Sequence, residues 1–389
     1  MKNQTITAIF VLVASAQFIS ILGQISLTER AQLDFAVSLL QNVAQSDKSS
    51  VLSPFSVSTS LFIAYLAADG ETKQQLQKCP WKSIPEFRLH FIKQLAYIAR
   101  AGNRNYTLTV ANRLYVREGL SVKESFQRVL GFYYSDLLHK FSFGQRNRLV
   151  QQINNWISSE TNNKVRNIIT TRSITENTRM LLMNAIHFKG TWTVQFVDFA
   201  TKQKQFHISE NEVKLVPMMV KSDTVPYYED DAVKVIKLPY IGDEVEMVII
   251  LPRRRFGLSD VLGNLSGEKL FKYVNEATNR SVSIKLPRFK VEEKRNLNSA
   301  LQAIGITDAF SGNANFEELF NNSLPISIGK IIHAGFIEVN EKGTESAAAT
   351  MIELEDRMSS SKNFNADQPF LFAIVKDLKT VLFLGQYVK

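Results

Sequence analysis

The side chains that could do chemistry in this chain are few and scattered. Five histidines and one cysteine, Cys79, occur in 389 residues, and the sequence has no G-x-S-x-G elbow, H-E-x-x-H pair or glycine-rich phosphate loop. Cys79 lacks the surroundings of a papain-type nucleophile. We interpret it as a buried small hydrophobe, with a reactive or intermolecularly bridged thiol as the alternative. No group of residues has metal-ligand spacing. We therefore expect a protein that is not an enzyme and has no bound metal or cofactor.

Residues 336–358 have the alternating pattern of a strand, but the middle of this stretch consists of residues that do not favour strand structure. From Thr344 onward one face is small or apolar, whereas the other ends in carboxylates. The first face carries Thr344, Ser346, Ala348, Thr350, Ile352 and Leu354, and the second carries Glu345, Ala347, Ala349, Met351, Glu353 and Glu355. Alanine is a poor strand former. The pattern predicts a segment that joins a sheet late, and Arg357 follows just beyond it.

The elements that would position this stretch begin with helices and continue with strands. Apolar residues at helical spacing predict helices over residues 27–43, 54–66 and 147–159, among others. Residues 180–190 are almost continuously apolar, as in a central strand buried on both faces. A long predicted strand at 326–339 leads directly into the stretch described above. With no internal repeat or linker, this order predicts one α+β domain.

The N-terminal residues 1–23 have the features of a secretory signal peptide, with Lys2 followed by an apolar run from 6 to 22. Residues 24–389 would then form a single secreted, extracellular domain. No later run is long and apolar enough to span a bilayer, so we expect no membrane association. A lone cysteine permits no internal disulfide, and we expect a monomer.

Two features suggest extracellular ligands and modifications. The formal charge of +9 favours anionic partners such as glycosaminoglycans, and we expect no nucleic-acid partner. Four cations at spacings of 11, 7 and 4 lie on one predicted helical face, namely Lys82, Lys93, Arg100 and Arg104. They predict a site for a heparin-like activator, with a plain surface face as the alternative. Sequons at Asn105, Asn264, Asn279 and Asn321 predict N-glycosylation.

Residues 336–350 resemble the reactive-loop hinge of the serpins, the family of protease inhibitors whose loop inserts into its own sheet. Other serpin-like motifs follow in serpin order: SPFS at 53–56, GETKQQL at 70–76, NAIHFKGTW at 184–192, LPRF at 286–289, ADQPFLF at 366–372 and FLG at 383–385. The chain departs from the family pattern at Gln368, where histidine is more common, and in His-Ala-Gly at 333–335. Neither difference lies in the hinge, and the resemblance covers essentially the whole mature chain.

The resemblance implies an α+β serpin fold with about nine helices, three β-sheets and an exposed reactive-centre loop at about residues 341–364. The strands at 180–190 and 326–339 would be neighbours in the large sheet, parted by the incoming loop. Residues that match the positions where this sheet opens are Ser53, Ser56, Asn184 and His333, and Trp192 matches the tryptophan at the top of the same gap. Hydrogen bonds between a buried asparagine and histidine would hold the sheet shut.

In the family, the hinge needs small side chains because each must pass between two strands. The residues that match the hinge are Glu341, Gly343, Thr344, Glu345, Ser346, Ala347, Ala348, Ala349 and Thr350. The small side chains among them are those of Thr344, Ser346, Ala347, Ala348, Ala349 and Thr350. Gly343 would supply the pivot, and no proline interrupts the ladder before Arg357. The resemblance therefore implies an inhibitor that traps a serine protease covalently. A non-inhibitory carrier or chaperone is the alternative.

The family's spacing, with Glu341 as the seventeenth residue before the cleaved bond, places cleavage at Arg357-Met358. An arginine on the amino side suits trypsin-like proteases, whose specificity pocket ends in a carboxylate. A loop one residue longer or shorter would move cleavage to the bond after Met358 and favour elastase- or chymotrypsin-like enzymes. Acidic residues crowd the approach and predict targets with basic subsites, namely Glu353, Glu355 and Asp356.

Overall fold

Helices dominate the first part of the chain. The computed structural model describes residues 26–81, 106–133, 137–321, 326–344 and 361–389. Within these ranges the α-helices are α1 (Leu27–Val43), α2 (Pro54–Ala67), α3 (Gly70–Trp81), α4 (Glu124–Tyr133), α5 (Arg146–Glu160), α6 (Leu258–Gly263), α7 (Gly267–Asn275) and α8 (Asn298–Ala303). Ser26 and Glu29 form a capping box that starts α1, and Ser53 caps α2 ahead of Pro54.

The strands of the same described ranges form two hydrogen-bonded sheets. They are β1 (Ser50–Leu52), β2 (Tyr106–Arg117), β3 (Leu138–Phe141), β4 (Met180–Thr191), β5 (Lys202–His207), β6 (Val213–Glu229), β7 (Val233–Pro239), β8 (Val245–Pro252), β9 (Thr278–Pro287), β10 (Phe289–Asn296), β11 (Lys330–Asn340), β12 (Gly343–Thr344), β13 (Lys362–Asn365), β14 (Phe370–Lys376) and β15 (Thr380–Tyr387). The α+β class expected from the element order is confirmed.

The six-stranded sheet has the order β10-β11-β12-β4-β2-β3. Strands β4 and β11 run parallel and pair directly from Leu181 and Lys330 to His187 and Phe336. Beyond these residues the two strands separate, and β12 lies between them, antiparallel to both. The expectation that these strands are neighbours is confirmed, although β11 starts at Lys330 rather than at Ile326.

The nine-stranded sheet contains the 17-residue strand β6, which pairs successively with β5, β9 and β7. This single long strand joins its three partners into one hydrogen-bonded sheet. In the described part of the chain, hydrogen bonding therefore gives two sheets where three were expected. The sheet also carries β13, which follows the predicted reactive-centre loop and pairs in parallel with β9.

Apolar side chains cover both faces of the six-stranded sheet. On one face lies α2, which is buried along most of its length because its side chains are apolar or carry only small hydroxyl groups. On the other face lies α5, which contributes Leu149, Ile153 and Ile157 to a separate buried cluster with β4 and β11. We call this second side the α5 face. In the part of the chain that the structure describes, no helix is both long and apolar enough to cross a membrane.

Candidate functional site

The candidate site is the gap between β4 and β11 that β12 enters. Thr344 pairs with Gly190 on β4 and with Val339 on β11, and its side chain is completely buried. We call this end of the sheet the hinge end. The chain therefore already places two hinge residues, Gly343 and Thr344, between the two strands.

A cluster of buried polar groups closes the gap below β12. The Nδ1 atom of His333 lies 2.6 Å from Oδ1 of Asn184, and Nε2 of His333 accepts a hydrogen bond from the Ser53 backbone N–H at 3.2 Å. Since Nε2 accepts, the ring proton resides on Nδ1 and is donated to Asn184. The Asn184 amide in turn donates to the Ser56 carbonyl at 3.1 Å and to the Ser56 hydroxyl. Four of the predicted sheet-opening residues, Ser53, Ser56, Asn184 and His333, therefore come together. We call these four residues the closing cluster.

Burial keeps His333 neutral. The imidazole is fully buried, and burial lowers its pKa to about 3. In the unfolded chain the same group titrates near its ordinary value, about 6.5. The folded protein therefore binds fewer protons at this position than the unfolded chain between these two values, and the stability contributed here is complete only above the unfolded pKa.

We expect acid to weaken the closing cluster through His333. The contribution should fall as pH drops below about 6.5, by at most about 1.4 kcal/mol per pH unit, or roughly 2 kcal/mol between pH 6.5 and 5. Urea unfolding at pH 7 and pH 5 would measure it as the difference between the wild type and His333→Gln. Equal pH dependence of the two proteins would show that His333 is not held neutral.

Aromatic side chains line the hinge end above Thr344. Trp192 stacks on Tyr240 with ring centroids 4.4 Å apart, and its Nε1 donates to the Asn340 carbonyl at 3.0 Å. The Tyr240 hydroxyl lies 2.7 Å from the Thr344 hydroxyl. Tyr240 is fully buried, and burial raises its pKa so that it stays protonated. The pair of rings thus supports the threonine from the α2 side of the sheet.

Two glycines make room for β12. A Cβ at Gly190 would lie 2.7 Å from Cδ1 of Tyr240, and one at Gly343 would lie 2.1 Å from the Gly190 carbonyl oxygen. Gly343 also has a φ of +145°, which residues with a side chain rarely adopt. Both positions therefore require glycine for the hinge to enter the sheet. The pivot role expected of Gly343 is consistent with this close approach.

Glu341 anchors the chain where it leaves β11. Its carboxylate accepts hydrogen bonds from the Arg288 guanidinium and from the Thr201 hydroxyl, the latter at 2.7 Å. Burial raises the pKa of Glu341, but these hydrogen bonds outweigh it and hold the pKa below its usual value. The backbone carbonyl of Glu341 also accepts from the Phe196 N–H at 2.9 Å. The first residue of the hinge is thus fixed on three sides.

Several residues of this site were not predicted from the sequence. They are Tyr240, Arg288, Thr201 and Asn112, the last of which accepts from the Asn184 amide at 2.8 Å. Each belongs to a strand or loop far from its partner in the chain, so periodicity carries no signal for it. Gly190 and Arg288 could have been found, because they lie within the serpin-like motifs at 184–192 and 286–289.

Other predicted site residues do not belong to the described part of this site. The hinge residues at 345–350, the reactive bond at 357–358, the basic stripe at 82–104 and the sequon at Asn105 lie outside the described residues. The remaining sequon asparagines, Asn264, Asn279 and Asn321, are exposed. Among the residues described, no group of three or more His, Cys, Asp or Glu side chains is placed to hold a metal ion.

Comparison with known proteins supports the serpin resemblance over nearly the whole chain. The model of the family described as "Serpin (serine protease inhibitor)" matches residues 30–389. Serpin B6 from Pongo abelii is 33% identical over 367 residues, which are 91% of this chain and 96% of that protein. A Xenopus laevis leukocyte elastase inhibitor is 32% identical, with coverage of 86% and 91%.

A solved structure shares the fold as well. Serpin48 of the insect Tenebrio molitor, described as a highly specific serpin, superposes with a TM-score of 0.84 at 28% identity and covers 93% of this chain and 98% of its own. The motifs named from the sequence therefore lie in a serpin fold. In that fold, β12 and the buried polar cluster of Ser53, Ser56, Asn184 and His333 occupy the gap between β4 and β11. The chain belongs to the serpin family of serine protease inhibitors.

Proposed function

We propose that this serpin is a secreted, single-use inhibitor of trypsin-like serine proteases that is cleaved at Arg357-Met358. The observation that carries the proposal is β12. Thr344 already pairs with both β4 and β11 in the orientation that an inserting loop strand needs. The residues that follow Thr344 can therefore extend β12 between β4 and β11.

The pairing of Thr344 fixes where the following residues would lie on insertion. Continuing its antiparallel register places Thr350 opposite both Asn184 and His333. Thr350 would thus enter between the two residues whose direct contact now closes the gap, and its hydroxyl could take over their hydrogen bonds. The small residues from Ser346 to Ala349 meet no comparable obstacle.

In the proposed trapping reaction, cleavage of the loop comes before insertion. The protease serine oxygen attacks the Arg357 carbonyl carbon, an ester forms, and the peptide bond to Met358 breaks as its amine takes a proton from the protease. The freed end of the loop then continues β12 as a full strand and carries the attached protease away from the hinge end. New ladder hydrogen bonds and burial of the inward face drive this step, so the uncleaved form is kinetically trapped.

The identity of the cleaved bond separates two classes of target. The Xenopus laevis relative is named an elastase inhibitor, and the same preference in this chain would place cleavage after Met358. We favour Arg357 because the family spacing from Glu341 ends there.

We expect trypsin to form a complex with this serpin that survives a denaturing gel, and sequencing of the released peptide should begin at Met358. Arg357→Ala should reduce the rate of complex formation with trypsin by at least about 100-fold, because the cation that fills the specificity pocket is lost. Met358→Ala is the matched control and should leave the rate within a few-fold. Nicked protein without a complex would support the carrier or chaperone alternative instead.

We also propose that a glycosaminoglycan binds the basic stripe and accelerates inhibition. The support is the regular spacing of Lys82, Lys93, Arg100 and Arg104 in a chain of charge +9. Neutralising Lys93 and Arg100 should move elution from immobilised heparin to distinctly lower salt. Elution of the wild type at low salt, unchanged in the variant, would contradict this.

Secretion and N-glycosylation are further proposals, supported by the apolar N-terminal segment and by the exposed sequons at Asn264, Asn279 and Asn321. If the chain is glycosylated on export, removal of N-glycans from the secreted protein will lower its mass. An unchanged mass would remove the support that the sequons give.

A further inference from the structure

Three cations lie at the end of the β4–β11 gap farthest from the hinge. Arg117 ends β2, Arg179 immediately precedes β4, and Lys330 begins β11. The Arg117 N–H donates to the Arg179 carbonyl at 2.9 Å, and Lys330 pairs with Leu181, two residues after Arg179. The three residues therefore stand side by side across the sheet, and we call them the basic row.

The basic row faces the α5 side of the sheet. Leu181 and Met183 on β4, and Ile332 and Phe336 on β11, all belong to the buried cluster beneath α5. Side chains two apart on a strand share a face. Arg179 therefore points to the same side as Leu181, and Lys330 to the same side as Ile332.

The charges of the basic row have no acidic partner among the residues that the structure describes. Arg117 and Arg179 both donate to the backbone carbonyl of Glu176, and Arg117 shares the ring of Phe143 with a further cation, Arg146. Among the described residues, no carboxylate forms an ion pair with Arg117, Arg179 or Lys330. Like charges gathered in this way repel one another, so the row would be stabilised by acidic groups placed beside it.

The register of β12 identifies the acidic groups that would reach the row. Gly343 pairs with Thr191 and Thr344 with Gly190, so the same antiparallel register places Glu353 opposite Leu181 and Glu355 opposite Arg179. Counted along β11 from the pair of Thr344 with Val339, Glu353 falls opposite Lys330. Residues with odd numbers lie on the face away from buried Thr344, which is the α5 face.

We propose that the basic row is the docking site for Glu353 and Glu355 when the cleaved loop inserts. Glu353 pairs with Lys330 and Glu355 with Arg179, one cation to each carboxylate at directly opposed positions. The inference rests on the proposed loop insertion and adds a second task to the acidic residues beside the reactive bond. They select the protease before cleavage and stabilise the inserted strand afterwards.

The upper part of the same face lacks this complementarity. Glu345 would lie opposite Lys189 on β4 and opposite Glu338 on β11, and Glu338 is paired with Lys164 at 3.2 Å. Attraction and repulsion therefore oppose each other near the hinge. The electrostatic gain comes at the far end, where the last part of the strand inserts.

Insertion of synthetic peptides into the uncleaved full-length protein tests this pairing without any protease. The peptide spans residues 344–356, in the native sequence, with Glu353 and Glu355 changed to Gln, or with both changed to Lys. The rise in Tm and the rate of annealing on a native gel are measured for the wild type and for Arg179→Glu/Lys330→Glu. The control is Lys204→Glu/Lys214→Glu, which makes the same change in net charge at exposed positions on β5 and β6.

We expect the wild type and the control to take up the native peptide roughly three- to ten-fold faster than the Gln peptide. In Arg179→Glu/Lys330→Glu the order should reverse, with the Lys peptide fastest. Equal rates for the native and Gln peptides, or the native order retained in that variant, would overturn the docking site while leaving the proposed inhibitor intact. If no peptide raises the Tm of any of these proteins, the insertion mechanism falls together with the docking site.

Discussion

Thr344→Arg should convert the protein from an inhibitor into a substrate of its target protease. Thr344 is completely buried between β4 and β11, 2.7 Å from the Tyr240 hydroxyl. An arginine there would place an unpaired charge in a packed site, at a cost of several kcal/mol. The hinge would be expelled and the loop would insert too slowly to trap the acyl-enzyme.

The measurement is the yield of covalent complex with trypsin on a denaturing gel. We expect the yield to fall at least about ten-fold, because each 1.4 kcal/mol of barrier slows insertion ten-fold, while cleavage of the loop continues. Thr344→Ser is the matched control, since it keeps the hydroxyl and a small side chain, and its yield should stay close to that of the wild type. An undiminished yield for Thr344→Arg would show that insertion does not proceed through this position.

Glu341→Lys should open the hinge end of the sheet. The substitution replaces the acceptor of the Arg288 and Thr201 hydrogen bonds with a cation that faces Arg288. Breaking a fully buried ion pair costs about 3–5 kcal/mol. Since the Arg288 side chain is 48% exposed, we expect a smaller loss, about 2 kcal/mol. The unpaired edges of β4 and β11 would then accept a strand from another molecule.

Two measurements check this expectation. Thermal unfolding should give a Tm lower by a few degrees, and a native gel should show oligomers growing with time at moderately raised temperature. Exchanging the two charges, in Glu341→Lys with Arg288→Glu, should restore part of the lost Tm. A single variant as stable and monomeric as the wild type would mean that the Glu341 contact does not hold the gap closed.

The sequence predicted the local elements of the site well. The apolar run that became β4, the helical pattern that became α2 and the meeting of Asn184 with His333 all follow from patterns contained in short stretches of chain or in the family motifs. The placement of Thr344 inside the sheet did not follow. It depends on the space left by Gly190 and on the support of a ring from the other sheet.

Contacts between distant strands explain what the sequence left out. Tyr240 is 104 residues from Thr344, and Arg288 is 53 residues from Glu341. Such partners are chosen by the register of strands and by the packing of two sheets, and a single sequence has no local signal for either. The basic row is a similar case, because Arg117, Arg179 and Lys330 are separated in sequence and become neighbours only in the six-stranded sheet.

The two-residue strand β12 also bears on the timing of inhibition. Beginning a new strand is the slow part of its growth, because chain entropy must be lost before the ladder is long enough to compensate. Gly343 and Thr344 already form the first pairs of the new strand. Insertion after cleavage is therefore propagation rather than nucleation. It should advance quickly through the small residues and pause where Thr350 meets Asn184 and His333. Whether insertion is faster than hydrolysis of the acyl-enzyme is then decided at Thr350, six residues after Thr344.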